Sequence, residues 1–218
     1  MWQDFKHPRE PANAYTHLLG MLLAVMATGL LIDAAAGRML HMIAFGIFGF
    51  SLIVLYLASS LYHALRASEQ IILLFRRLDH VMIFIFIAGS YTPVCLIALK
   101  NTWGTALLIA IWSVAVLGIV IKIFWLHAPR WLYVAIYLAA GWLAVLAIVP
   151  IVRALPFGGL LWLLAGGAFY TGGAVLYALK WPNPLPGRFG FHEIWHLCVL
   201  AGSACHFFLM WQYIAPMP

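Results

Sequence analysis

MLHMIAFGIFGFSLIVLYLASSLYHAL, Met39–Leu65, runs for 27 residues without a lysine, arginine, aspartate or glutamate. A helix rises about 1.5 Å per residue and the hydrocarbon core of a bilayer is about 30 Å thick, so about 20 such residues cross it. The stretch is therefore expected to be a transmembrane helix. Six further stretches of the same kind surround it. Ala14–Ala34 precedes it, and Leu78–Ala98, Thr102–Phe124, Leu132–Ile151, Phe157–Leu179 and His192–Ile214 follow. The breaks between them carry charge, glycine or proline: Ala35–Arg38, Arg66–Arg77, Lys100, His127–Arg130, Arg153–Pro156 and Lys180–Phe191. The last contains WPNPLPGRFGF, whose prolines cannot continue a helix. The expected fold is all-α: one polytopic membrane domain over residues 1–218, a bundle of seven transmembrane helices.

Composition agrees. Soluble domains are about half apolar and about a quarter charged, whereas this chain is 66% hydrophobic and 8% charged. The net charge of +6 forms no contiguous basic patch interleaved with stacking aromatics, so nucleic acid is not an expected partner. Cys95, Cys198 and Cys205 are odd in number, lie in apolar segments and make no C-x-x-C pair, so they read as small core residues. Gly141, Gly166, Gly167, Gly172 and Gly173 read as points of close helix approach. Ala34, Ala35 and Ala36 resemble a signal-peptide cleavage site. However, Asp4 and Glu10 offset Lys6 and Arg9 in the segment before it, and the first apolar run is long for an h-region. That run is expected to be a retained first helix.

The positive charges set the expected orientation. Lys6, Arg9, Arg66, Arg76, Arg77, Lys122, Arg130, Lys180 and Arg188 fall on one side of the alternating helices, and only Arg38, Lys100 and Arg153 on the other. Lysine and arginine favour cytoplasmic loops, so the N-terminus is expected in the cytoplasm and the C-terminus outside.

Ionisable side chains inside a bilayer are costly and mark function by default. His63 closes the second helix, Asp79 is expected in the first turn of the third, and His192 and His196 open the seventh. Alternation brings all four to one depth. His192 and His196 are four apart, hence on one helical face, as are Ser59 and His63. Three neutral imidazoles and a water suit a four-coordinate zinc with an open position, with Asp79 placed to orient the water or a ligand histidine. Taken singly, His7, His17, His41, His80, His127 and His206 read as interfacial polar residues. His192-Glu193-Ile194-Trp195-His196 matches the H-E-x-x-H pattern in which the glutamate is a general base. Glu193 also suits a helix N-terminus for electrostatic reasons, and Asp79 is the better base candidate.

SSLYH (Ser59–His63), LDH (Leu78–His80), GSYTP (Gly89–Pro93) and HEIWHLCVLAGSACHF (His192–Phe207) resemble the bacterial hemolysin III family. That family is grouped with the progestin and adipoQ receptors and, more distantly, with alkaline ceramidases. EPANAYTHLLG (Glu10–Gly20) resembles its opening motif. The resemblance implies a seven-helix fold with Zn2+ held by His63, His192 and His196, accompanied by Ser59 and Asp79. No hormone-binding role is carried over.

Three functions follow as expectations. The first is a zinc-dependent hydrolase of a lipid amide or ester at the cytoplasmic leaflet of the bacterial inner membrane, with Asp79 and Ser59 as catalytic residues. The second is a non-enzymatic sensor of membrane lipid state with a structural zinc. The third is a pore-forming cytolysin, which a polytopic bundle without a signal peptide disfavours. Membrane lipids are the expected partners in the first two.

Overall fold

A computed structural model of the chain describes residues 8–125, 128–187 and 189–218. Lys6, His7, His127 and Arg188, used above, lie outside the described residues, as does Asp4. Seven helices are long and apolar enough to cross a membrane: α1 Pro11–Ala34, α2 Met39–Ala64, α3 Glu69–Ala98, α4 Thr102–Phe124, α5 Arg130–Ala154, α6 Phe157–Leu179 and α7 Phe191–Ile214. Among the described residues the β-structure amounts to one isolated bridge, Leu185 to Phe189, in the loop between α6 and α7. The chain is a multi-pass membrane protein. Its outer surface is apolar, with Leu22 and Met26 of α1, Ile109 and Leu117 of α4, Leu146 of α5 and Leu164 of α6 all exposed. Lipid accepts such a surface because helices satisfy their backbone groups internally.

Six of the seven helices lie close to the expected boundaries. The third does not. It begins at Glu69, nine residues before Leu78, so Arg76 and Arg77 are helical and the loop shrinks to four residues. Asp79 therefore lies ten residues into α3, not in its first turn. Ile71, Ile72, Leu74, Phe75 and Leu78 keep a helical apolar spacing through the charges, and Glu69 is favoured by the helix dipole. Hydropathy drops at Arg76 and Arg77, but nothing there breaks a helix.

Three helices change pitch along their spans, and of these α7 ends in a π-helix over Met210–Ile214. After Pro93, α3 widens to a π-helix over Val94–Ala98, as expected where a proline removes a backbone donor. In α5 the stretch Trp142–Ala147 tightens to a 3₁₀-helix. Here Tyr91 of α3 reaches into the backbone ladder. Its hydroxyl accepts from Ala144 N at 2.9 Å and lies 2.6 Å from the Gly141 carbonyl and 3.2 Å from that of Ala140. The tyrosine thus replaces the Ala144-to-Ala140 bond of a regular helix, a recognised cause of irregularity. Pro150, unable to donate to Leu146, follows directly.

The main core is built from α1, α2, α3 and α7, around Phe45, Phe48, Leu52, Tyr56, Phe86 and Leu209. Helix α5 packs more loosely, and a long cavity opens between it and α2, α3, α6 and α7. Small residues set some contacts. A Cβ on Gly173 would fall 2.5 Å from Cys198 Cβ, and one on Gly166 would fall 2.4 Å from the His206 ring. Gly141, Gly167 and Gly172 meet nothing within 4 Å, so the close-approach reading fails for these three, and Gly141 and Gly167 line the cavity instead. The cysteines are free; Cys95 and Cys205 are buried and Cys198 is half-buried.

Candidate metal centre

The antiparallel course of the helices brings the end of α2 and the start of α7 together. His63 is fully buried, His196 is 2% exposed and His192 is half-buried. One ligand atom from each lies within 4.8 Å of the other two. The ring centroids are 4.9–5.0 Å apart in all three pairs, with interplanar angles of 72–83°. The three rings therefore form a compact group able to hold a metal ion.

Glu10, which the sequence reading used only as a charge and a motif letter, completes this arrangement. Arg9 N and Glu10 N donate to the carbonyls of Ala64 and His63, at 3.3 and 3.0 Å. Carbonyls at a helix end lack intrahelical partners, so the segment before α1 docks on the end of α2. Glu10 Oε2 then lies 2.7 Å from His63 Nδ1. With the Nδ1 proton donated to the carboxylate, Nε2 keeps its lone pair. That Nε2 is buried and has no hydrogen-bond partner among the described residues. Burial alone would raise the Glu10 carboxyl, but the His63 hydrogen bond and the charges of His63, Arg9 and His192 outweigh it and hold its pKa at about 2.

Ser59 and Asp79 line the same end of the cavity as His192 and His196. Asp79 lies close enough to His63 and Ser59 to be influenced electrostatically by both. Glu193 does not line that cavity. Its Oε1 accepts from Asn13 Nδ2 at 2.8 Å and its Oε2 from Gly190 N at 2.8 Å. Both oxygens thus tie the start of α7 to its own backbone and to α1, away from the cavity that Asp79 lines.

Several histidines depart from the interfacial reading. His17 is buried and stacks on His196, with centroids 3.6 Å apart and planes 12° from parallel. His80 is buried and packs edge-on to Tyr133. His206 lines the cavity far from the helix ends. His41 is buried at the opposite end of the bundle, 3.0 Å from the Met217 carbonyl. The spacing of Glu10, Asn13 and His17, three then four, was the available signal for a functional face on α1.

From this end the cavity, about 410 Å³, runs along α7 to Leu209 and Met210. Its walls beyond the polar end include Phe86, Leu107, Ile148, Leu163 and Val199. From His192 to Met210 is about 27 Å along the helix axis, most of the hydrocarbon thickness.

Comparison with known proteins agrees with the motifs. The family profile described as Haemolysin-III related matches residues 5–207. The chain is 39% identical over 216 residues to a hemolysin-3 homolog of Bacillus subtilis (strain 168), covering 98% of each chain. It is 40% identical over 209 residues to hemolysin-3 of Bacillus cereus, covering 95% of this chain and 92% of that one. A more distant relative is the human monocyte to macrophage differentiation factor, 26% identical over 214 residues, covering 95% and 85%. The chain belongs to the haemolysin-III related family.

Proposed function

We propose that the protein is a zinc-dependent hydrolase acting on an amide or ester of a membrane lipid, resident in the bacterial inner (plasma) membrane with its N-terminus in the cytoplasm. The observation that carries this reading is the position of the buried His63, His192 and His196 group. Two of its members, His192 and His196, line the polar end of a long, mainly apolar cavity together with Asp79 and Ser59. The donor set fits zinc: three imidazoles, one oriented by a carboxylate through its other nitrogen. Zinc, when bound, supplies Lewis-acid chemistry, polarising a carbonyl and making water more acidic.

The chain's own residues do the rest. Phe86, Leu163 and Val199 take up an acyl chain and exclude water from it. The scissile carbonyl then comes to rest at the histidine end. Asp79 accepts the proton of the attacking water and returns it to the leaving amine or alcohol. Ser59 donates a hydrogen bond to the carbonyl oxygen as negative charge grows there.

The test is release of free fatty acid from a panel of N-acyl and O-acyl lipids by purified protein in detergent micelles. Release is expected to stop with a chelator and to return with added zinc. Metal-loaded protein that cleaves neither class would overturn the reading.

Glu10 gives a second expected result. Carboxylates that orient a ligand histidine typically contribute about 10–100-fold in metal affinity. Glu10→Ala is expected to weaken zinc binding by that factor in a competition titration against a chromophoric chelator. Glu10→Gln, which keeps an acceptor oxygen, should recover part of the loss. Wild-type affinity in Glu10→Ala would show the contact to be incidental.

A further inference from the structure

Partway along the cavity, away from the histidine group, the wall turns polar again. Ser203 and His206 follow His196 and Val199 on one face of α7, at spacings of three and four. Tyr56 of α2 donates to Ser203 Oγ at 2.8 Å, and the Tyr170 hydroxyl of α6 lies 3.0 Å from the same oxygen. Tyr170 and His206 meet edge-on, with centroids 5.3 Å apart, and both line the cavity. The His206 ring sits over Gly166, where a Cβ would fall 2.4–2.5 Å from it. The pair is thus seated by the fold.

A count of donors shows what this wall offers. Three hydroxyls carry three protons, and the two short bonds among them use two. The other acceptor in reach is the Val199 carbonyl, 3.5 Å from Tyr56 Oη, beyond the usual range for an O–H donor. One hydroxyl proton remains, and it is carried by Tyr170 when Ser203 donates to it. Neither ring nitrogen of His206 has a hydrogen-bond partner of good geometry among the described residues, and the Leu163 backbone is close enough for a weak contact with one of them at most. Unpaired polar groups are costly at this depth. A plain hydrocarbon chain along this wall would leave the spare hydroxyl proton and His206 without a good partner, whereas a chain bearing an oxygen would satisfy them.

We propose that Tyr170 and His206 form a second polar subsite, which binds a hydroxyl or oxo oxygen carried on the acyl chain of the lipid. This deepens the function proposed above and rests on the cavity being the lipid site. Ser203 and His206 lie seven and ten residues beyond His196, about 10–15 Å along the axis. An extended chain with C–C bonds of about 1.5 Å advances about 1.25 Å per carbon. The recognised oxygen therefore lies about eight to twelve carbons from the group held at the histidine end.

The experiment compares binding of stearate and 12-hydroxystearate to the purified full chain in detergent, using wild type, Tyr170→Phe and His206→Leu. Wild type is expected to prefer the hydroxy acid about tenfold, the worth of one good hydrogen bond, and each variant to bring the ratio near one. Tyr170→Phe keeps the ring and its packing, so it carries the test even if His206→Leu does not fold. Equal wild-type affinity for the two acids would overturn the subsite alone, and so would a preference that survives Tyr170→Phe. Failure of wild type to bind either acid would overturn the lipid cavity and the subsite together.

Discussion

Purified wild-type protein, offered zinc and then washed free of excess, is expected to hold about one zinc per chain by mass spectrometry, and a His192→Ala/His196→Ala variant close to none. Two of the three candidate ligands come from one face of α7, and their rings stand 5.0 Å apart. Removing both leaves His63 alone with one free nitrogen, since Glu10 holds the other. A single imidazole is far short of the three protein ligands of an open zinc site. The packing cost is modest by comparison, because Asn13, Gly190 and Glu193 secure the start of α7 independently of the rings. Helicity and monodispersity of the variant would establish that it folds. Wild-type protein that stays metal-free would leave the three histidines as polar packing and remove the basis of the hydrolase. Competition with cobalt, nickel and copper belongs in the same experiment, because three imidazoles suit those ions too.

The spans were legible because hydropathy reports what lipid requires, and Met39–Leu65 or Thr102–Phe124 leave no other reading. What escaped was structure that hydropathy does not measure. The early start of α3 at Glu69 depends on helical periodicity continuing through Arg76 and Arg77. The 3₁₀ segment of α5 depends on Tyr91, a residue of another helix about fifty positions away. The histidine group was legible for the opposite reason. His192 and His196 share a face by local spacing, and alternation alone brings His63 to their depth. Glu10 reaches His63 through backbone pairing between the chain before α1 and the end of α2, which no local pattern announces. His17 and His206 look like ordinary polar residues until the neighbouring helices are in place. Only packing separates a histidine at a lipid boundary from one stacked on a candidate ligand.

Asp79→Asn is expected to keep wild-type zinc content and lose about 10²–10⁴-fold in turnover of a confirmed lipid substrate, the usual contribution of a general base. Asparagine fills the same volume and still accepts a hydrogen bond, so the cavity wall keeps its shape. What it lacks is the capacity to take a proton from water. Measuring metal and turnover on one preparation separates the possible roles. Retained zinc with lost turnover is the signature of a base, while loss of both would make Asp79 part of the metal-holding set. Retained zinc with wild-type turnover would mean that the proton goes elsewhere. Glu193→Gln is the matching control, because it tests the carboxylate that the sequence motif nominates. Both Glu193 oxygens already accept bonds, from Asn13 and Gly190, and Glu193 does not line the cavity. Its removal should therefore lower stability before it touches the chemical step. If Glu193→Gln instead lost turnover with zinc intact while Asp79→Asn did not, the two assignments would exchange places. The geometry argues against that exchange, because Asp79 shares the cavity end with Ser59, His192 and His196 and Glu193 does not.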